Sequence, residues 1–336
     1  MIRYPANHFK TIGITAPSSG MEENQQHLLE QAIERQQENG FLIVAGETAW
    51  TQAFAKSAPA KKRADELMGM FTDPTIDFVF PTWGGELLLE ILEYLDFSLI
   101  QPKWILGYSD ISTLLLAITL KTGIATAHGT NIIDLRGQES DPTTAKWLTV
   151  LNTAAGESVT QQSSVLYQKK WNHTEESSVV FHLTEPTQWK TVSGTSEHFS
   201  GRLLGGCIDV IRHLIGTPFG EVEQFRDKHI PQEPVIWYLE NYGMAVTELK
   251  RSLTQMKYAG WFDNCAGLLF GRSAANEAVE GYTVEMMYAD FAQELGLPLA
   301  YDIDVGHMPP QLVLVNGAYA RVAIENGQGV ITQEFT

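Results

Sequence analysis

The chain has 336 residues, and 23 Lys and Arg against 40 Asp and Glu leave a formal charge of −17. Nucleic acids and anionic membranes both need clustered cations, so neither is an expected partner. With 44% hydrophobic and 19% charged residues, the composition is that of a folded chain rather than a disordered one, and the length suits about two domains. No apolar run approaches the roughly 20 residues of a membrane span. Residues 1–8 contain no apolar stretch of the secretory kind, and two cysteines, Cys207 and Cys265, supply neither a disulfide framework nor a Cys-x-x-Cys zinc site. A cytoplasmic location is the expectation.

The first 130 residues alternate between two patterns. Short β-branched or apolar runs at 11–16, 41–44, 76–80, 104–107 and 124–127 read as strands. Between them, 22–39, a stretch capped by Ser57 through about residue 70, 86–95 and 110–121 read as helices. Apolar strands alternating with helices predict a parallel sheet covered on both faces, an N-terminal α/β domain over 1–130. Residues 131–200 are rich in Gln, Ser, Thr and Glu and read as a connector and a loop-rich segment carrying Trp147, Trp171 and Trp189. From 201 the periodicity returns. The glycine-rich stretch 201–206 leads into a helix ending near Gly216-Thr217-Pro218. Strands follow at 235–239, 266–270 and 299–302, helices at 246–258 and after Thr283, and short sheet pieces at 312–315, 320–324 and 330–333. This is a second α/β domain, 201–336, with a β-rich end.

In open α/β sheets, ligands bind beyond the carboxyl ends of the strands, so the polar residues there are the candidates. Gly107-Tyr108-Ser109-Asp110 turns an apolar strand directly into a helix, which is the layout of a nucleophile elbow. Ser109 at that turn is either an exposed nucleophile, with the helix N-terminus and the Asp110 amide beside a developing oxyanion, or a helix cap. Gly84-Gly85 after another apolar strand is either a second oxyanion donor, through the Gly85 amide, or an ordinary turn. Glu240 ends the apolar run 234–239 as a helix-start residue or as an acid that orients a histidine. Of nine histidines, His307 lies between Gly306 and Met308-Pro309 just past a strand, where a base is easily fixed. His128 also follows a strand and competes, with an interior hydrogen-bonded role favoured. A neutral histidine can take a serine proton while a carboxylate holds its tautomer. Arg202 and Arg136 are candidates for a substrate carboxylate, or plain ion-pair residues. Cys207 reads as a small buried hydrophobe. Gly205-Gly206 lacks the following Gly-Lys-Ser/Thr of a phosphate loop. The class competing with an enzyme is a two-lobed small-ligand binder.

Taken together, these motifs resemble the serine peptidases that include the L,D-carboxypeptidases of murein recycling and the microcin C immunity peptidases. The resemblance runs through Ala16-Pro17-Ser18-Ser19-Gly20, Gly84-Gly85, Gly107-Tyr108-Ser109-Asp110, His128-Gly129, the stretch from Gly201-Arg202-Leu203 to Gly216-Thr217-Pro218, Leu239-Glu240 and Gly306-His307. It implies a two-domain Ser-Glu-His carboxypeptidase, often a homodimer, with no metal or organic cofactor. Ser109 matches the nucleophile, Glu240 the acid and His307 the base, and Gly85 and Asp110 match the oxyanion positions. Cys207 stands where Asn is common in the family, and Asn241 where many members have Asp. Met308-Pro309-Pro310 replaces the Thr and acidic residue usual in microcin-type members. Segment 160–200, with Gln188-Trp189, looks closer to the microcin-immunity branch, in which a loop tryptophan stacks on the base of a peptidyl-nucleotide. That makes Trp171, then Trp189, the candidate stacking residue. The implied substrate is a peptidyl-nucleotide or related acyl amide, or alternatively a murein tetrapeptide.

Overall fold

The computed structural model describes residues 1–170 and 177–336. Two sheets organise the chain. The first runs in the order Leu314–Asn316, Thr126–His128, Trp104–Gly107, Phe78–Pro81, Thr11–Thr15, Leu42–Ala45. Its five N-terminal strands are parallel, and Leu314–Asn316 joins antiparallel at one edge. Counted in chain order the parallel strands lie 2-1-3-4-5. That order reverses direction between Thr11–Thr15 and Phe78–Pro81, and the loops beyond their carboxyl ends flank a crevice. Phe78–Pro81 and Trp104–Gly107 are buried along their whole length, which explains their continuous apolar character.

The second sheet has the order Ser158–Gln162, Gln328–Glu334, Tyr319–Glu325, Glu197–Cys207, Val235–Glu240, Cys265–Gly271, Leu299–Ile303, Lys190–Thr191. Four central strands, from Glu197–Cys207 to Leu299–Ile303, are parallel, and the flanking pairings are antiparallel. Helices Val246–Tyr258 and Val284–Leu295 pack against this domain's core. The second begins, as its sequence predicts, with the Thr283 hydroxyl accepting from the Met286 amide.

Helix Ile111–Thr122 lies between the two sheets. Ten of its twelve residues are buried, because it packs on its own sheet and on strand Glu197–Cys207 of the other. The Ser112 hydroxyl accepts the Cys207 amide at 3.0 Å, tying the elbow helix to the second sheet.

Several local expectations are corrected. Residues 201–206 are the inner part of an eleven-residue strand, Glu197–Cys207, and lead as expected into helical turns, Ile208–Ile211 and Arg212–Leu214. The loop-rich segment supplies a strand at each edge of the second sheet, Ser158–Gln162 and Lys190–Thr191. Residues 88–94 form a 3-10 turn rather than an α-helix. Ser57 does not cap the helix Ala60–Thr72, because its hydroxyl donates to the Ala16 carbonyl at 2.6 Å. Among the described residues, no helix is long and apolar enough to cross a membrane.

Candidate active site

The carboxyl ends of both sheets open onto one cavity of about 1350 Å³, whose wall includes Gly85, Ser109, Asp110, Cys207, Tyr242 and His307. Ser109 has φ +62, left-handed backbone that a serine adopts only when its surroundings hold it there. Strand Trp104–Gly107 delivers the chain to this point and helix Ile111–Thr122 takes it away, with the Ser112 amide donating to the Ser109 carbonyl at 2.9 Å. Gly84 passes directly over the serine. A Cβ there would lie 2.6 Å from Ser109 Oγ and 3.1 Å from the Asp110 amide nitrogen, so only glycine fits. Gly85, at φ +153, is confined in the same way, since its Cβ would meet Ser18 and Ser19 Oγ at 2.4 Å.

The Asp110 carboxylate faces away from this point, into the protein. It accepts the Ser18 hydroxyl at 2.5 Å and the Leu88 amide at 2.9 Å. Burial raises its pKa more than these bonds lower it. The side chain thus binds the 16–20 loop and residue 88 to the elbow, a role its sequence position did not announce.

Glu240 and His307 come from different strand ends of the second sheet. Glu240, fully buried, closes strand Val235–Glu240, and His307 lies four residues past Leu299–Ile303. His307 Nδ1 and Glu240 Oε2 are 2.8 Å apart. Burial alone would depress the His307 pKa. The Glu240 charge and hydrogen bond, with Asp209 and Asp134 behind them, outweigh burial and raise it above the usual 6.5. Burial pushes the Glu240 carboxyl upward, but the His307 charge and hydrogen bond bring it to a net lowering. An ionised acid bonded to an imidazole results. Were His307 to act as a catalytic base, the acid side of a kcat/KM profile would fall with an apparent pKa above 6.5, and Glu240→Gln would move that limb to lower pH. A pH–rate series on both proteins checks it.

His128 lies in the interior beside this pair. Its ring makes edge contacts with Tyr108 and Tyr238 at 6.5 and 5.4 Å, and burial lowers its pKa to about 4. The expected interior hydrogen bond is not there, for neither ring nitrogen has a hydrogen-bond partner among the described residues. Cys207 is buried as expected, its thiol raised well above the ordinary range by burial, yet it also contributes to the cavity wall.

Two predicted substrate contacts are corrected. Trp189 is 2% exposed in the core of the second sheet, and its indole donates to Asp304 Oδ2 at 2.8 Å. It does not line the cavity, so it packs rather than stacks on a ligand. Trp189→Ala is expected to cost about 3–5 kcal/mol of stability, read by urea unfolding, with any loss of activity equal for all substrates. Arg202 donates to Glu233 at 2.6 and 3.1 Å and to the Gly317 and Thr336 carbonyls at 3.0 and 2.7 Å. It pairs in register with Val235 while Cys207 pairs with Glu240, which puts Arg202 about 16 Å down the strand from the cavity end. Arg136 does reach the cavity wall. Trp171 lies outside the described residues. Among those described, no group of three or more His, Cys, Asp or Glu is placed to hold a metal ion.

Known proteins share this architecture. Residues 12–129 match the LD-carboxypeptidase N-terminal domain, and residues 200–322 match the LD-carboxypeptidase C-terminal domain. The probable murein peptide carboxypeptidase of Bacillus subtilis is 26% identical over 331 residues, covering 97% of this chain and 92% of that protein. The microcin C7 self-immunity protein MccF of Escherichia coli is 24% identical over 344 residues, covering 97% and 94%. A solved structure of microcin C7 self-immunity protein MccF in complex with aspartyl sulfamoyl adenosine superposes with a TM-score of 0.81 at 21% identity, over 100% of this chain and 99% of that one.

Proposed function

The chain belongs to the LD-carboxypeptidase family, and on that premise we propose that it is a serine-type carboxypeptidase with Ser109 as nucleophile, His307 as base and Glu240 as the acid that orients it. The observation that carries this reading is the 2.8 Å His307–Glu240 bond in the same cavity as a serine held at φ +62. In this mechanism Ser109 Oγ attacks the carbonyl carbon of the scissile amide. His307 takes the serine proton on Nε2 while Nδ1–H donates to Glu240. The Gly85 and Asp110 amides donate to the oxyanion. The imidazolium then protonates the leaving nitrogen, the C–N bond breaks, and water attacks the acyl-enzyme with His307 again as base. The reading includes a cytoplasmic homodimer with the three segments 1–130, 131–200 and 201–336.

The substrate we propose is a peptidyl-nucleotide or a related acyl amide. A cavity of about 1350 Å³ has room for such a ligand, and the superposed MccF structure is in complex with aspartyl sulfamoyl adenosine. A second reading, a murein tetrapeptide, is favoured by the cavity wall. Glu22, Glu86, Glu90, Asp134 and Asp209 outnumber Arg136 and Arg212 in it, a balance that suits an ammonium better than a phosphate. Mass spectrometry of products after incubation with a murein tetrapeptide and with a peptidyl-adenylate analogue tests both. Release of the terminal amino acid or of the nucleotide portion selects the substrate, and no release from either overturns the carboxypeptidase reading.

A further inference from the structure

We propose that Tyr242 is a positioning residue for the base: its ring packs on the His307 imidazole, restricts its orientation and stabilises it when protonated. The inference rests on the reading of His307 as the base. The two ring centroids are 4.3 Å apart at an interplanar angle of 40°. Tyr108 meets the same imidazole edge-on at 5.1 Å, and Glu240 holds Nδ1, so three different elements bound the ring.

Tyr242 is 60% exposed and belongs to neither apolar core, so the fold does not require an aromatic there. Its backbone is nonetheless firmly anchored. The Tyr242 and Gly243 amides both donate to the Asp209 carboxylate at 2.9 Å. The Asn241 side chain donates to the Met244 carbonyl at 2.7 Å and accepts the Met244 amide at 3.0 Å. A large ring displayed on a fixed turn keeps its contact with the imidazole without being buried. The face of a phenol ring carries negative potential, so it favours imidazolium over imidazole, and imidazolium is the form reached as the serine proton is transferred.

Other groups also act on His307. Glu240 comes from strand Val235–Glu240, Asp209 from the short helix Ile208–Ile211, Asp134 from the 3-10 turn Ile132–Leu135, His128 from Thr126–His128, and Tyr108 from the elbow. All of them remain when the Tyr242 side chain alone is changed. A change in imidazole titration on that substitution therefore belongs to the ring.

The test is an NMR titration of the histidine rings in the full chain, with His307 assigned by the signal lost in His307→Gln, for wild type, Tyr242→Phe and Tyr242→Leu. In Tyr242→Leu the His307 pKa falls by about 0.4 to 1.5 pH units. Tyr242→Phe keeps the wild-type value. In turnover, Tyr242→Leu lowers kcat roughly 2- to 30-fold, leaves KM near wild type and moves the acid limb to lower pH, and Phe restores all three. A Tyr242→Leu protein whose His307 titrates as in wild type overturns the proposal, as does a Phe variant shifted as far as Leu. The titration needs no substrate. A wild-type protein inactive on every amide tested therefore defeats the functional reading separately, while the ring contact is still decided by the titration.

Discussion

Ser109→Ala abolishes turnover, lowering kcat by on the order of 10⁶, while substrate binding and folding persist. The size follows from what the hydroxyl does in the proposed mechanism. Without Oγ no acyl-enzyme forms, and only binding and the oxyanion amides are left to assist direct attack by water. That folding persists follows from the position. The serine belongs to neither apolar core and lines the cavity, and the strain at φ +62 is held by Gly84 above and the elbow helix beyond, which alanine leaves in place. Serine already bears the left-handed strain that alanine would, so the substitution adds little to it. The measurement is single-turnover hydrolysis alongside calorimetric binding of the same substrate. Activity within tenfold of wild type removes Ser109 as nucleophile, and loss of binding together with turnover points instead to collapse of the elbow.

The parts of this site that were legible in the sequence are those encoded by local backbone chemistry. An apolar run that ends in Gly107 and turns into a leucine-rich helix specifies an elbow without knowledge of anything distant, and the strand and helix lie within a residue of expectation. Glu240 and His307 were legible for the same reason, each closing or following an apolar strand. Their 2.8 Å contact was not, because it depends on how Val235–Glu240 and Leu299–Ile303 are ordered in the sheet, with Cys265–Gly271 between them. Strand Glu197–Cys207 was hidden by Gly201, Gly205 and Gly206, which weaken any strand pattern, whereas its neighbours on both sides supply the pairing. Trp189 and Arg202 misled for a third reason. A tryptophan in a polar stretch and an arginine beside glycines look available to a ligand. Which end of a strand a residue occupies, and which partner is waiting there, is decided by tertiary packing: Asp304 for one and Glu233 for the other. Tyr242 carried no signal, since one aromatic in a Gly-containing turn has no period to mark it.

Glu240→Gln retains measurable activity, and His307→Ala retains less. In the glutamine variant the side chain still reaches Nδ1, but it brings no charge to hold the imidazolium, and its amide can donate a hydrogen where Glu240 accepts one, which favours the wrong tautomer. The analogous acid-to-amide change in serine proteases costs on the order of 10⁴ in kcat, against on the order of 10⁶ for loss of the base. Two features of this protein argue that the acid is strongly felt. Glu240 is fully buried, so its charge is poorly screened, and the carboxyl nevertheless has a net lowered pKa because His307 compensates burial. Removing the imidazole therefore leaves a buried carboxylate without its main partner. His307→Ala is expected to lose stability as well as activity above the Glu240 pKa, and to recover stability as the pH falls and the orphaned carboxyl takes up a proton. Glu240→Gln lacks that recovery at low pH: position 240 carries no charge to neutralise, and His307, without the acid that offset its burial, becomes harder to protonate in the fold. Urea unfolding of both variants between pH 5 and 8, set beside their kcat values, separates the roles. Equal activity of Glu240→Gln and wild type at neutral pH removes the acid from the mechanism. A His307→Ala protein whose stability is independent of pH shows that the buried charge of Glu240 is satisfied by something other than this imidazole.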